Sequence, residues 1–97
     1  MRYLLHMTVN VPHDLDPAMV ADLKTREKER ALELQRAGVW LHLWRVAGKM
    51  ENYSVVDATD HDHLHDLLLS LPLFPYLEIE VIPLAVHPSS LEAAGEG

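Results

Sequence analysis

The stretch VWLHLWRVAGKMENYSVVD, residues 39–57, decides the fold of this 97-residue chain. Its first part, residues 39–48, is mostly apolar and predicts a strand. Residues 51–57 predict a second strand, and the short GKM link between the two favours an antiparallel hairpin. The chain changes to helical periodicity on both sides of this hairpin, so the remaining strands must come from farther out in both directions.

The residues before the hairpin predict a helix and, ahead of it, a strand. Asp16 followed by Pro17 is typical of a helix start, because the carboxylate caps free N–H groups and proline fits the first helical position. The helix is predicted from 17 to 37, and Gly38 is a natural residue to follow its C-terminus. Residues 3–11 predict the first strand, whose apolar face consists of Tyr3, Leu5, Met7, Val9 and Val11.

The residues after the hairpin repeat this arrangement in the order helix, then strand. Asp60 begins a second predicted helix, and Pro72 and Pro75 end it. Its apolar stripe has the spacing i, i+3, i+4, i+7 and consists of Leu64, Leu67, Leu68 and Leu71. Residues 77–86 predict the fourth strand, in which Pro83 suits an edge position or a bulge.

The order of the elements, βαββαβ, predicts an α+β fold of the ferredoxin-like kind. We expect a four-stranded antiparallel sheet with both helices on one face. Residues 1–90 form one predicted domain, and residues 91–97 a polar C-terminal tail. A domain this small has limited core of its own, and association is a common way to bury exposed apolar surface.

Composition restricts the kinds of function that the chain can have. Its net charge of −7 argues against nucleic-acid binding, which needs a basic surface to neutralise phosphates. No apolar run approaches the ~20 residues that span a bilayer, and the N-terminus does not read as a secretory leader, so a cytoplasmic location is predicted. The absence of cysteine excludes disulfides, thiolate metal sites and a cysteine nucleophile. Any anionic substrate would need a local cluster of the eight Lys and Arg residues.

Glu27 occupies a position in the first predicted helix where the pattern calls for an apolar residue. The core-facing stripe is formed by Val20, Leu23, Ala31 and Leu34, and Glu27 falls near its middle. Burial is costly for a carboxylate unless it is paired or its pKa rises, and a raised pKa suits a general base. Lys24 lies one turn earlier, within reach of Glu27 or of a bound anion. A structural ion pair between the two is an equally open interpretation.

Three histidines lie among aspartates at the start of the second predicted helix: His61, His63 and His65. The first and third have the i, i+4 spacing that helical metal ligands use. No HExxH motif and no third ligand of obvious spacing accompany them, and they lie opposite the leucine stripe. A solvated helix start is therefore the favoured interpretation, and no metal site is predicted.

The second strand carries polar residues within its apolar run. His42 alternates with Trp40 and Trp44, which places the three on one face if the strand is regular. We interpret His42 as a packed, hydrogen-bonded residue that could also line a pocket. Arg45 falls on the opposite face.

Three polar residues flank the predicted hairpin turn in the sequence: Arg45, Asn52 and Tyr53. Such groups are common in turns, where they stabilise the backbone locally. They are equally typical of the few donors that orient a small ligand. We treat them as candidate substrate-binding residues.

The segments together resemble the muconolactone Δ-isomerase family. The resemblance runs from residue 1 to about residue 90, without apparent gaps, and includes Leu23, Lys24, Glu27 and Lys28 of the first helix. The motifs that carry it are MTV (7–9), DP (16–17), HLWRVAG (42–48), NYSVVD (52–57), LPLFPY (71–76) and HPSS (87–90).

The resemblance implies an enzyme of the β-ketoadipate pathway of catechol degradation, which converts muconolactone to 3-oxoadipate enol-lactone. Family members use no metal or organic cofactor and assemble as a high-order homo-oligomer, typically a decamer. The acid/base residues proposed for the family, a lysine and a glutamate of the first helix, correspond to Lys24 and Glu27. The expected partner is a small lactone carboxylate, with no nucleic acid and no membrane.

The chemistry of these two residues suits a proton transfer. Our hypothesis is that Glu27 moves the ring proton, while Lys24 stabilises the dienolate oxygen or the substrate carboxylate. Two alternatives stay open. One is a chloromuconolactone dehalogenase, which would use the same base to eliminate chloride, and the other is a non-catalytic ferredoxin-like ligand-binding module.

Overall fold

The computed structural model describes residues 1–96 as four strands, two α-helices and one short 3₁₀ turn. In chain order they are β1 (Arg2–Val9), α1 (Pro17–Arg36), β2 (Trp40–Arg45), β3 (Glu51–Asp57), α2 (His61–Leu69), the turn Phe74–Tyr76, and β4 (Leu77–Leu84). The sheet has the order β2-β3-β1-β4, and every neighbouring pair is antiparallel. The predicted ferredoxin-like βαββαβ fold is confirmed.

The core lies between both helices and one face of the sheet, here called the inner face. From β1 it contains Tyr3, Leu5 and Met7, which are almost inaccessible to solvent, as the predicted alternation requires. The helices contribute Leu34, Leu64 and Leu68 to the core, and Leu71 joins them from the segment after α2. Because both helices cover the inner face, the opposite face of the sheet, here called the outer face, has no helix packed on it.

The ends of α1 follow from its sequence. The Asp16 carboxylate accepts a hydrogen bond from the Ala18 N–H at 3.0 Å, and Pro17 occupies the first helical position. Gly38 follows the helix at φ +74°, a conformation that residues with a Cβ rarely adopt. This turn sends the chain directly into β2.

A β-bulge in β2 is the feature that the sequence did not predict. Trp40 pairs with Val56 and His42 pairs with Val55, so Leu41 is an extra residue between them. Trp40 is therefore buried on the inner face, whereas His42 and Trp44 lie on the outer face. The expectation that Trp40, His42 and Trp44 share a face is wrong, because the extra residue interrupts the alternation.

Several strands are shorter than predicted. The second strand ends at Arg45, since the residues that follow form the hairpin turn, in which Gly48 has φ +78°. The first and fourth strands end at Val9 and Leu84. Pro83 lies in the edge strand β4, as expected for a residue without an N–H. Neither helix within residues 1–96 is long and apolar enough to cross a membrane.

Candidate active site

An open cleft of about 380 Å³ lies between α1 and the hairpin end of the inner face. Its walls are largely apolar, with a few polar side chains, as is typical of small-molecule sites. From α1 the lining residues are Lys24, Glu27, Lys28, Ala31, Leu32 and Gln35. The sheet, the hairpin turn and the segment before β4 supply Met7, Val9, Trp40, Leu43, Arg45, Met50, Glu51, Asn52, Leu73 and Leu77.

Glu27 lies where the core-facing stripe of α1 meets the cleft. Its side chain is half-buried and accepts a long hydrogen bond, 3.4 Å, from the Leu73 N–H. Burial raises the pKa of Glu27 above the ordinary value of 4.5, and the Leu73 hydrogen bond opposes this rise only in part. Within residues 1–96 Glu27 forms no salt bridge, so the structural ion pair with Lys24 is absent.

Most of the lysine and arginine side chains that have no carboxylate partner within residues 1–96 line the cleft. Arg2, Arg26, Arg30 and Lys49 each lie within 4.0 Å of a carboxylate. Among residues 1–96, the cations without such a partner are Lys24, Lys28, Arg36 and Arg45, and all except Arg36 line the cleft. In a chain with a net charge of −7, this cluster makes the cleft suited to an anion.

Arg45 and Asn52 are paired across the β2–β3 ladder and lie side by side in the cleft. The Arg45 Nη1 group donates to the Lys49 carbonyl at 3.3 Å and contacts Met50 Sδ at 3.4 Å, which holds it over the hairpin. The hydroxyl of the fully buried Ser54 donates to Asn52 Oδ1 at 2.8 Å. This bond fixes the amide and leaves its Nδ2 protons available to a ligand.

Tyr53 lies apart from the other candidates. Side chains alternate along β3, so Tyr53 points to the outer face, whereas its neighbours Asn52 and Ser54 point to the inner face. Its ring stacks on His6 with 4.6 Å between the ring centroids, and it does not line the cleft. The structure therefore brings together Glu27, Lys24, Arg45 and Asn52, but leaves Tyr53 on the other side of the sheet.

The histidines of α2 have separate structural contacts. His61 Nδ1 lies 2.6 Å from the Tyr3 hydroxyl, and His63 Nδ1 accepts the Thr59 N–H at 2.9 Å. The Asp60 carboxylate in turn accepts the His63 N–H, so these residues cap the helix reciprocally. No group of three or more His, Asp or Glu side chains that could hold a metal ion occurs in residues 1–96.

His42 is also separate from the cleft. It is exposed on the outer face and stacks on Trp44, with ring centroids 4.9 Å apart. The expectation of a pocket-lining residue on the Trp40 face is wrong for His42, since the bulge at Leu41 turns it outward. The same bulge leaves Arg45 on the inner face with Leu43.

Sequence reasoning missed three contributors to the cleft. The Leu73 N–H carries no side-chain signal, because it depends on where the chain leaves α2. Ser54 lies two residues from Asn52 in NYSVVD, and a polar residue on the buried face of a strand could have indicated a buried hydrogen bond. Lys28 belongs, with Leu23, Lys24 and Glu27, to the first-helix residues that carry the family resemblance, but the resemblance implies no role for it.

The fold and the cleft define a class: a ferredoxin-like α+β protein with a half-buried carboxylate beside unpaired cations. The family model described as muconolactone delta-isomerase matches residues 1–90. The chain therefore belongs to the muconolactone delta-isomerase family.

Individual relatives agree with this assignment. The muconolactone Delta-isomerase of Cupriavidus pinatubonensis is 54% identical over 94% of this chain and 99% of its own length. That of Pseudomonas putida is 50% identical over 96% of this chain and 97% of its own. A crystal structure of muconolactone isomerase superposes with a TM-score of 0.89 at 54% identity, covering 94% of this chain and 95% of the other. The resemblance inferred from the motifs is confirmed along nearly the whole chain.

Proposed function

We propose that this chain isomerises muconolactone to 3-oxoadipate enol-lactone, the step of catechol degradation implied by its family. Relatives with the name muconolactone Delta-isomerase match it over nearly their full lengths. The observation that carries the proposal is Glu27, a carboxylate with a raised pKa beside unpaired cations in a cleft of ligand size.

The reaction needs one base that can take and return a proton. Glu27 removes the proton from the ring carbon that carries the carboxymethyl arm, and the electron pair delocalises through the ring double bond onto the lactone carbonyl. The resulting dienolate takes the same proton back at the carbon next to the carbonyl, which moves the double bond. A raised pKa makes Glu27 a stronger base than an ordinary glutamate, provided that it is ionised.

The cations of the cleft stabilise charge that develops during the transfer. The substrate enters with one carboxylate, and the dienolate adds a second negative centre. Lys24 lies one helical turn before Glu27 and lines the same cleft. We assign it the electrostatic role, while Arg45 and Asn52 orient the lactone from the sheet.

A test of this proposal compares the wild-type protein with Glu27→Gln in a muconolactone assay without added metal. The substitution keeps the shape of the side chain but removes the base, so kcat should fall about 10²- to 10⁴-fold. The acidic limb of the wild-type kcat/KM profile should lie above the ordinary glutamate value of 4.5, because the free enzyme needs ionised Glu27. Near-normal turnover by Glu27→Gln would refute the assignment.

The same assay discriminates the alternative functions. Faster turnover of 5-chloromuconolactone with release of chloride would indicate the dehalogenase, and binding without turnover would indicate the ligand-binding module. The carboxylate in the cleft favours chemistry, because a binding module gains nothing from a half-buried base.

Assembly and location are part of the proposal. We propose a homo-oligomer, with the family's decamer as the expected form, because the helix-free outer face exposes large apolar side chains. Trp44 is 57% exposed, and Tyr53 and Ile82 are exposed by 42% and 41%. A cytoplasmic location and independence from cofactors stay predictions.

A further inference from the structure

The two lysines of α1 that line the cleft, Lys24 and Lys28, lie at different angles around the helix from Glu27. At about 100° per residue, Lys24 lies about 60° around the helix from Glu27, whereas Lys28 lies about 100° from it on the same side. Leu32, one turn after Lys28, lines the cleft together with Leu43 of β2. Lys28 is therefore on the flank of the helix that is turned toward β2, the strand that carries Arg45.

Lys28 and Arg45 both line the cleft, and neither has a carboxylate partner within residues 1–96. The carboxylates that could have neutralised them are occupied otherwise. Glu51 Oε1 lies 2.7 Å from His6 Nε2, and Glu27 is directed to the Leu73 N–H. Two free cations thus face the cleft from its helix wall and its sheet wall.

The covalent structure of the substrate explains why two separate cationic sites are needed. The carboxymethyl arm is attached to the carbon that Glu27 deprotonates, whereas the carbonyl oxygen that becomes negative is on the other side of the ring oxygen. A single cation cannot contact both groups closely in a rigid five-membered ring. The group that binds the arm must lie close to Glu27 in space but outside the path of the proton.

We infer that Lys28, together with Arg45, forms a carboxylate subsite that selects substrates with an acidic arm. This inference rests on the proposed function, and it leaves Lys24 for the dienolate oxygen. Lys28 is thus a specificity-determining residue: it binds a part of the substrate that does not react. Its contribution is the same in the ground state and the transition state, so it lowers KM and has little effect on kcat.

The test compares two lactones that differ only in the arm. One is muconolactone, and the other has a methyl group in place of the carboxymethyl arm. The methyl lactone is assayed in the reverse direction, from its β,γ-unsaturated isomer, because a variant changes kcat/KM by the same factor in both directions of a reversible reaction. For Lys28→Met, kcat/KM toward muconolactone should fall about 10- to 100-fold, mainly through KM, as expected for loss of a charged hydrogen bond. Toward the methyl lactone the change should stay within about twofold, since no carboxylate is present.

Two variants provide the controls. Arg36→Met removes an unpaired cation of the same helix that does not line the cleft, so it should change neither substrate's kinetics. Lys24→Met should lower kcat for both lactones, since both form a dienolate. Equal losses on the two lactones for Lys28→Met, or no loss on muconolactone, would overturn the subsite.

A binding measurement separates this inference from the proposed function. The saturated carboxymethyl lactone cannot isomerise, and its Kd by titration calorimetry should rise about 10- to 100-fold in Lys28→Met. If the wild-type protein turns over neither lactone but shows this change, the subsite stands and the isomerase proposal fails. If the wild-type protein does not bind the saturated acid, the subsite is wrong whatever the activity.

Discussion

At the scale of single residues, the basicity of Glu27 depends on two opposing effects. Partial burial disfavours the charged carboxylate, whereas the Leu73 N–H favours it. The hydrogen bond is 3.4 Å long, beyond the usual range for N–H···O bonds, so its effect is small and desolvation dominates. An ion pair with Lys24 would have reversed this balance and produced a weaker base. The separation of these two side chains therefore keeps the pKa of Glu27 raised, as the proposed base requires.

The same balance predicts how Glu27 affects stability. Because its pKa is raised in the folded state, the folded protein binds this proton more tightly than the unfolded chain. The stability that this proton contributes is therefore lost as the pH rises from the pKa of Glu27 in the unfolded chain to its higher pKa in the folded protein. Above the folded pKa, ionised Glu27 lowers the free energy of unfolding. Glu27→Gln should melt at the same temperature as the wild type or higher at neutral pH, with the difference vanishing below pH 4.5.

Thermal denaturation over a pH series measures this effect, and Glu29→Gln, an exposed position of the same helix, is the matched control. The control should show no pH-dependent gain. A Glu27→Gln protein that melts well below the wild type at neutral pH would mean that the hydrogen bond to Leu73 outweighs the burial.

At the scale of secondary structure, the bulge in β2 determines which side chains reach the cleft. Trp40 and Arg45 are five residues apart, so a regular strand would place them on opposite faces. Leu41 is inserted between residues that pair with consecutive positions of β3, Val56 and Val55. As a result Trp40 packs in the core while Arg45 lies in the cleft.

This arrangement predicts the outcome of two deletions. Removing Leu41 should yield a regular strand in which Trp40, Leu43 and Arg45 keep the inner face, so kcat/KM should stay within about tenfold of the wild type. Removing Leu43 instead also leaves Trp40 and Arg45 four residues apart, but a regular strand then places His42 in the cleft wall where Leu43 was, so kcat/KM should fall further than on removing Leu41. Steady-state kinetics and tryptophan fluorescence measure both. A loss of kcat/KM far beyond tenfold on removing Leu41 would show that the bulge itself, and not only the facing of Arg45, is required.

At the scale of the whole molecule, the sheet has one covered face and one bare face. The outer face has a row of side chains across three strands, in which Trp44 pairs with Tyr53 and Tyr53 with His6. Beside them lie Leu4, Val55 and Ile82 in the next row. An exposed apolar surface of this kind on a small domain is typical of an interface.

The proposed assembly predicts that charge on this face dissociates it. The double variant Trp44→Lys, Ile82→Lys should sediment as a smaller species than the wild type, because buried lysines without partners oppose association. Leu69→Lys changes an equally exposed apolar residue of α2 and should leave the mass unchanged. A wild type that sediments as a monomer, or a double variant of unchanged mass, would rule out this interface.

The fold and the half-buried carboxylate of Glu27 were predictable from the sequence, because both depend on local periodicity. The alternation in β1, the capped α1 and the leucine stripe of α2 each follow from spacing along the chain, and so does the polar residue at position 27 of an apolar stripe. Which polar groups meet was decided only by the tertiary structure. The bulge at Leu41 and the alternation of β3 depend on pairing between strands, and they bring Arg45 to the cleft while Tyr53 faces away. The burial that raises the pKa of the Glu27 carboxyl, and the Leu73 hydrogen bond that opposes this rise, likewise depend on packing between segments that are distant in sequence.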